Sequence, residues 1–331
     1  MMKLLFAPMA TISHEAMRLT IERYSPGAVD EYYTEMIHAA SFLAGGKFEP
    51  YYVRTAPDLH RIVWQLTGGT EEPLVQAAKI ISKIGGIGID INMGCAAPEI
   101  VRQGAGVAWM LKPMEETRRM LKRVRTAVPD EKRLSVKMRL GGDDFTEKQL
   151  LDFADMLVGE GVSQIVSHAR THKEKFKRVP HWEYAQKLAE YLKRRYGDSV
   201  CICGNGDITD SSVLQRVCTK APGLDGFMIG RAAVQRPWVF AQLKAGLKLE
   251  EYHADIDLQE LGLEFIEDLK VSQPEEFWKT RAQRFFVYFC KNLTFGTYLS
   301  NKLINAKTLD EIKALFCSYF EEQPDERFLS V

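Results

Sequence analysis

Eight short apolar runs alternate with amphipathic stretches along residues 1–238, and this alternation constrains the fold more than any other feature. The runs occupy residues 3–8, 28–36, 61–68, 87–94, 133–141, 162–171, 199–207 and 223–231. In the stretch 146–161, apolar residues recur at helical spacing, and Thr146 followed by Gln149 fits a capping box. Eight such β-then-α units predict an α/β fold of the (β/α)8 TIM barrel type.

A doubly wound open sheet is the competing fold class. It would place a GxGxxG turn directly after the first strand, whereas Ala-Pro-Met-Ala follows Phe6. From residue 239 onward we find no strand-like run, and helical patterns cover 257–271, 275–293 and 308–322. The sequence therefore predicts a catalytic barrel over residues 1–238 and a small all-helical domain over 239–331.

Composition limits the class of protein. Lys and Arg together number 44, as do Asp and Glu, so an anionic partner would need a local basic surface. The N-terminal apolar stretch is too short for a signal peptide, and no run is long enough to span a membrane. The six cysteines have neither CxxC nor zinc spacing, so we expect reduced thiols, a cytoplasmic protein and no metal site. The expected assembly is a monomer.

Polar residues gather where the predicted strands end, which is where barrel enzymes carry their chemistry. The strand-end residues are Pro8, Met9, Gln65, Asn92, Cys95, Lys137, Arg139, His168, Arg170, Asn205, Gly206, Asp207, Gly230 and Arg231. Glycine loops after the seventh and eighth strands, with an arginine beside them, predict a phosphate-bearing cofactor, although such glycines often only form turns.

Cys95 lies in the segment DINMGCAAPEIVRQGAGVAWM, residues 90–110. The thiol could be a core residue, a metal ligand, a nucleophile or a proton donor. No obvious base stands beside it in the sequence, which favours an acid over a nucleophile. Lys137 lies between Val136 and Met138, where a lysine is costly unless it meets a charge or a cofactor; a snorkelling lysine is the alternative. His168 could equally be a satisfied core histidine.

An ordered set of motifs through the whole barrel resembles the tRNA-dihydrouridine synthase family. The motifs are APMATISHEAMR (7–18), TEM (34–36), QLTG (65–68), DINMGC (90–95), GAGVAWMLKP (104–113), VKMRLG (136–141), SHART (167–171), NGDI (205–208) and MIGRA (228–232). The resemblance implies FMN in the barrel, NADPH as reductant and reduction of a uridine in tRNA. It further implies hydride transfer from flavin N5 to uracil C6 and protonation of C5 by Cys95.

The same resemblance implies roles for the other strand-end residues. Contacts to FMN are expected from Pro8, Met9, Gln65, Lys137, His168, Asn205, Gly206, Asp207, Gly230 and Arg231. Asn92 is expected to face the uracil, and Lys137 to stabilise the reduced ring. The chain departs from the family's GCP motif, since Cys95 is followed by Ala96-Ala97-Pro98, and His14 stands where the family has aspartate.

Two basic segments are candidates for tRNA binding, together with Arg139 and Arg170. In the loop after the sixth strand, basic residues interleave with Phe176, a pattern that suits phosphate contact and base stacking; they are Lys173, Lys175, Lys177 and Arg178. On helix 275–293, Arg281 and Arg284 share a predicted basic outer face. A plain solvated surface is the alternative for both segments.

Two other functions are compatible with these residues. One is a flavin barrel that reduces a free small molecule, against which the basic loop and helical tail argue. The other is a non-catalytic RNA-binding relative, and the displaced Pro98 would be a sign that turnover was lost.

Overall fold

A closed barrel of parallel strands forms most of the protein. The computed structural model describes residues 2–174 and 177–331. The strands are β1 (Lys3–Phe6), β2 (Glu31–Tyr33), β3 (Ile37–His38), β4 (Ile62–Thr67), β5 (Gly88–Met93), β6 (Arg133–Met138), β7 (Gln164–His168), β8 (Cys201–Asn205) and β9 (Gly226–Ile229). The first strand pairs with both β2 and β9, and β2 pairs with β4, so the sheet closes on itself and confirms the predicted TIM barrel.

The second barrel strand is interrupted. Its two halves, β2 and β3, both pair with β4, and residues 34–36 separate them. Thr34 bridges the gap, because its N–H donates to the Val63 carbonyl at 3.1 Å and its hydroxyl accepts from the Gln65 N–H at 3.1 Å. The break leaves Glu35 outside the regular ladder, where its carboxylate reaches other parts of the chain.

Helices follow the strands and surround the barrel. They are α1 (Glu15–Tyr24), α2 (Ala39–Leu43), α3 (Glu71–Ile81), α4 (Pro98–Arg102), α5 (Ala108–Leu111), α6 (Met114–Ala127), α7 (Glu147–Gly159), α8 (Trp182–Tyr196), α9 (Ser211–Lys220), α10 (Arg231–Gln235), α11 (Val239–Leu247), α12 (Leu258–Ser272), α13 (Glu275–Phe289), α14 (Gly296–Asn305) and α15 (Leu309–Glu322). The predicted capping box of α7 is confirmed, since Thr146 and Gln149 exchange side-chain-to-backbone hydrogen bonds of 3.2 and 2.8 Å. Within the described residues, no helix combines the length and the apolar character needed to cross a membrane.

The C-terminal region is helical with an aromatic core. Phe265 of α12 stacks on Phe285 of α13 with ring centroids 3.9 Å apart, and Phe286 packs against Phe316 of α15 at 4.7 Å. The prediction of no strands after residue 239 is wrong, because β10 (Asp255–Asp257) and β11 (Phe328–Ser330) form an antiparallel pair. These strands are three residues long, too short for a hydrophobic pattern to reveal.

Buried charges fill the barrel at the amino-terminal ends of its strands. Arg133 makes two 2.7 Å bonds to the Glu31 carboxylate, which also accepts from Lys3 at 3.1 Å and Gln164 at 2.9 Å. Burial alone would raise the pKa of Glu31, but Arg133 and its other partners lower it to about 2. This paired cluster fills that end of the barrel, so a ligand site belongs at the carboxyl ends of the strands.

Candidate active site

Polar side chains of β4 and β5 meet inside the barrel. Strand register places Gln65 beside Asp90, and Gln65 Nε2 donates to the Asp90 carboxylate at 2.8 Å. Asn92 Nδ2 donates to Gln65 Oε1 at 2.8 Å, and Ser135 of β6 donates to the other Asp90 oxygen at 2.7 Å. The structure thus brings together the predicted Gln65 and Asn92, and adds Asp90, which the sequence analysis missed.

The loop that carries Cys95 is held from both sides. The Cys95 N–H donates to Asn92 Oδ1 at 2.9 Å, and the Cys95 carbonyl accepts from the Val107 N–H at 3.0 Å. Gly106 has a φ of +62°, and a Cβ atom there would lie 2.5 Å from the Cys95 carbonyl oxygen. The displaced Pro98 begins α4, where a helix needs no donor from its first residue. The loop is therefore anchored despite its departure from the family motif.

Positive charge is concentrated around His168. Burial and the cations of Lys137, Arg139, Arg170 and Arg231 lower the pKa of His168 far below its ordinary value. Its Nε2 accepts from Arg170 Nη1 at 3.1 Å, as a neutral imidazole can. Burial lowers the pKa of Lys137 to about 8, with Arg139 acting in the same direction and Asp90 and Cys95 opposing it. This end of the barrel is electropositive and suits an anionic ligand.

The predicted phosphate loops lie at the ends of β8 and β9. Asn205 Nδ2 donates to the Met228 carbonyl at 2.7 Å and ties the two strand ends together. One carboxylate oxygen of Asp207 accepts a hydrogen bond from Arg170, and the other accepts one from Arg231 at 2.5 Å. Gly230 directly precedes the short helix α10. Pro8 and Met9 follow β1, the neighbour of β9, so they belong to the same end of the barrel.

Two arginines predicted to bind RNA are buried in this region. Arg139 is 4% exposed and donates to the carbonyls of Gly94 at 2.8 Å and Thr171 at 3.1 Å. Arg170 is 1% exposed, and its Nε donates to the Arg178 carbonyl at 2.6 Å. Both therefore connect loops around the site. The Arg178 side chain is exposed, whereas Lys175 and Phe176 lie outside the described residues.

Arg281 does not lie on an exposed basic face, so that prediction is wrong. Its side chain is 3% exposed and its Nη1 lies 2.7 Å from Oε2 of Glu35, which is 4% exposed. Glu35 Oε1 also accepts from the Thr11 N–H at 2.6 Å, in the loop after β1. The ion pair therefore joins α13 to the interrupted second strand and to the β1 loop. Arg284, one turn away, remains exposed as predicted.

We expect Arg281→Met to lower the free energy of unfolding by about 3–5 kcal/mol, because it leaves the Glu35 carboxylate buried without its cation. The matched variant Arg284→Met should change it by less than about 0.5 kcal/mol. Urea denaturation followed by circular dichroism measures both. Equal effects of the two variants would contradict a structural role for the pair.

His14 also has a structural role. Its Nδ1 accepts from the Met17 N–H at 3.4 Å at the start of α1, and its ring centroid lies 6.0 Å from that of Phe265. Burial and the neighbouring Arg281 and Arg18 lower its pKa well below the ordinary value. A neutral histidine therefore caps the start of α1. Within residues 2–174 and 177–331, no group of three or more His, Cys, Asp or Glu side chains is arranged to hold a metal ion.

A family model and several known proteins match this chain. Residues 5–271 match the family described as Dihydrouridine synthase (Dus). A tRNA-dihydrouridine(16) synthase of Aquipseudomonas alcaligenes is 28% identical, covering 98% of this chain and 97% of that protein. A probable tRNA-dihydrouridine synthase of Aquifex aeolicus (strain VF5) is 30% identical, covering 79% of each chain.

A solved structure provides a likeness of fold. The complex of 2-naphthoyl-CoA reductase with 2-naphthoyl-CoA matches with a TM-score of 0.52 at 12% identity, covering 75% of this chain and 50% of that one. At that identity the likeness concerns the barrel architecture alone. The family match extends over most of the sequence and includes every strand-end residue described above, so this chain belongs to the dihydrouridine synthase family.

Proposed function

We propose that this protein is an FMN-dependent tRNA-dihydrouridine synthase, reducing a uridine of tRNA to 5,6-dihydrouridine. The observation that carries the proposal is the anchored Cys95 loop beside an electropositive strand-end site. Lys137 and Arg139 are both close enough to interact electrostatically with Cys95. A thiol and a site for an anionic cofactor thus share one end of the barrel.

The residues present fit the phosphate of FMN, because the cations of Lys137, Arg139, Arg170 and Arg231 surround His168. Lys137, His168 and Arg231 would hold the anionic groups, together with the loops at Asn205–Asp207 and Gly230. Pro8, Met9 and Gln65 would line the remaining side. When bound, FMN would supply the hydride for uracil C6, after its own reduction by NADPH.

Cys95 would complete the reduction by donating its thiol proton to C5 of the uracil. Hydride at C6 and this proton at C5 together add two hydrogens across the double bond. Most thiols keep their proton at neutral pH, since the ordinary cysteine pKa is about 8.5. Asn92, with one amide hydrogen committed to Gln65, would offer the other to a carbonyl oxygen of the base.

The tRNA itself would contact both parts of the chain. We propose that the barrel, residues 1–238, receives the flipped uridine and that the helical region, 239–331, docks the folded RNA. Arg178 and Arg284 are exposed and suited to phosphate contact, and Lys175 with Phe176 remains a prediction. Local charge of this kind can support RNA binding although the net charge is zero.

The decisive experiment incubates the protein with unmodified tRNA, FMN and NADPH and measures dihydrouridine by nucleoside mass spectrometry. Two relatives that match almost the whole chain are named for position 16, so the modified position should be mapped there first. Free uridine and uracil serve as parallel substrates. Turnover of free pyrimidine alone would favour a small-molecule reductase, and RNA binding without any reduction would favour a non-catalytic relative.

A further inference from the structure

A directed chain of hydrogen bonds runs across the barrel interior to the backbone of Cys95. Asp90 accepts from Gln65 Nε2, Gln65 Oε1 accepts from Asn92 Nδ2, and Asn92 Oδ1 accepts from the backbone. The three side-chain and backbone links measure 2.8, 2.8 and 2.9 Å. Asp90 is fully buried and Asn92 is 6% exposed, so water competes little for these partners.

The groups at the two ends of this hydrogen-bond chain require the same donor-to-acceptor direction along it. An ionised carboxylate can only accept hydrogen bonds, so it turns the NH2 group of Gln65 toward itself. The Gln65 oxygen must then face the NH2 group of Asn92, which leaves the Asn92 oxygen for the backbone N–H groups of Gly94 and Cys95. Those N–H groups can only donate. Within the described part of the chain, the Asn92 NH2 group has Gln65 as its one partner, and Asn92 is 6% exposed, so its second N–H remains a donor for a ligand.

We propose that Asp90 is a positioning residue: as a buried acceptor it anchors the far end of the amide chain that holds the Cys95 loop. The same arrangement leaves Asn92 with one amide hydrogen for a ligand carbonyl group. The hydrogen bonds of this chain are seen in the structure, whereas their effect on proton donation by Cys95 rests on the function proposed above. Asp90 acts through other residues and does not itself reach the reacting atoms.

The groups around Asp90 leave its protonation state open to change over a pH range in which they do not titrate. Burial raises the pKa of Asp90 to about 6, while its bonds from Gln65 and Ser135 and the charges of Lys137 and Arg133 oppose that shift. Lys137, with a pKa of about 8, stays charged below pH 7, and the pKa of His168 lies far below pH 5. Tyr33 of β2 faces the same carboxylate, and its pKa is raised well above its usual value, so it stays neutral. Of these groups, we therefore expect Asp90 to titrate between pH 5 and 7.

The test follows the Cys95 amide by NMR in flavin-free protein labelled with ¹⁵N-cysteine. The chain has six cysteines, and Cys95→Ala identifies the relevant signal. We expect the Cys95 amide proton to shift with a midpoint near pH 6, because protonation of Asp90 weakens every link of the chain. Cys317, on α15, is the internal reference and should not shift.

Two variants separate the hydrogen-bond chain from the direct field of the carboxylate. Asp90→Asn removes the charge at nearly constant shape and should abolish the shift. Gln65→Met keeps the charge but breaks the chain, and it should abolish the shift as well. A Cys95 shift that persists in Gln65→Met, or no shift in the wild type, would overturn the proposal.

Alkylation of flavin-free protein gives a second readout. Asp90→Leu removes the acceptor, so the rate of Cys95 alkylation relative to Cys317 should rise several-fold. Asp90→Asn keeps one acceptor oxygen and should stay within about twofold of the wild type. An unchanged ratio in folded Asp90→Leu would contradict the proposal, and the wild-type titration decides the matter if that variant does not fold. Neither readout requires tRNA, so failure of the proposed function would be seen separately.

Discussion

Replacing Cys95 with alanine should lower dihydrouridine formation about 10²–10⁴-fold, the usual contribution of a positioned general acid. The loop is held through its backbone N–H and carbonyl groups, which alanine retains. We therefore expect Cys95→Ala to fold, to bind FMN as the wild type does and to bind tRNA. The loss should appear in the single-turnover rate of product formation at saturating tRNA.

The matched control is Cys317→Ala, which removes a partly exposed thiol from α15. This control should keep the wild-type rate. Flavin fluorescence and tRNA gel shifts establish that both variants bind their ligands. A wild-type rate in Cys95→Ala would show that another group protonates C5.

Replacing Lys137 with methionine should weaken FMN binding about 10–100-fold, because a hydrogen bond to a charged group contributes about 1.5–3 kcal/mol. Methionine preserves much of the volume among Val136 and Met138 and removes the cation. Equilibrium titration of the flavin-free protein with FMN measures the effect. Lys122→Met, an exposed lysine on α6, is the control and should bind FMN normally.

The same lysine predicts a pH dependence. Lys137 is cationic below its pKa of about 8 and neutral above it, so FMN affinity of the wild type should fall as the pH rises from 8 to 9.5. In Lys137→Met this decline should disappear. A wild-type affinity that stays constant over that range would indicate that Lys137 does not bind the anionic cofactor.

The barrel could be predicted from the sequence because each strand carries its own apolar run. All eight predicted runs correspond to barrel strands, but the interruption at residues 34–36 could not be seen. That interruption depends on hydrogen bonds from Thr34 to a neighbouring strand, which no local pattern encodes. The β10–β11 pair was missed because its strands are three residues long and because its partners are separated by about seventy residues of mostly helical chain.

The sequence predicted which kinds of residue form the site better than it predicted the hydrogen bonds between them. Alternation along a strand places Asp90 and Asn92 on one face, a signal that could have identified Asp90 beforehand. Its link to Gln65 depends on the register between β4 and β5 and required the structure. Arg281 shows that a local pattern can also predict the wrong environment for a side chain. Helical spacing gave the angular position of Arg281 on α13, but its burial depends on Glu35, which lies in the break between β2 and β3 and is distant in the sequence.

The pairing of β1 with β9 also has a consequence during synthesis. Lys3–Phe6 leaves the ribosome early, yet Gly226–Ile229, its partner on one side, follows some 220 residues later. At about 5–20 residues per second, that interval is roughly 10–45 s. Throughout it the nascent chain exposes an unpaired apolar strand edge, a surface that chaperones bind and that can aggregate. Slower translation lengthens this interval and should therefore lower the yield of native protein more than its final stability.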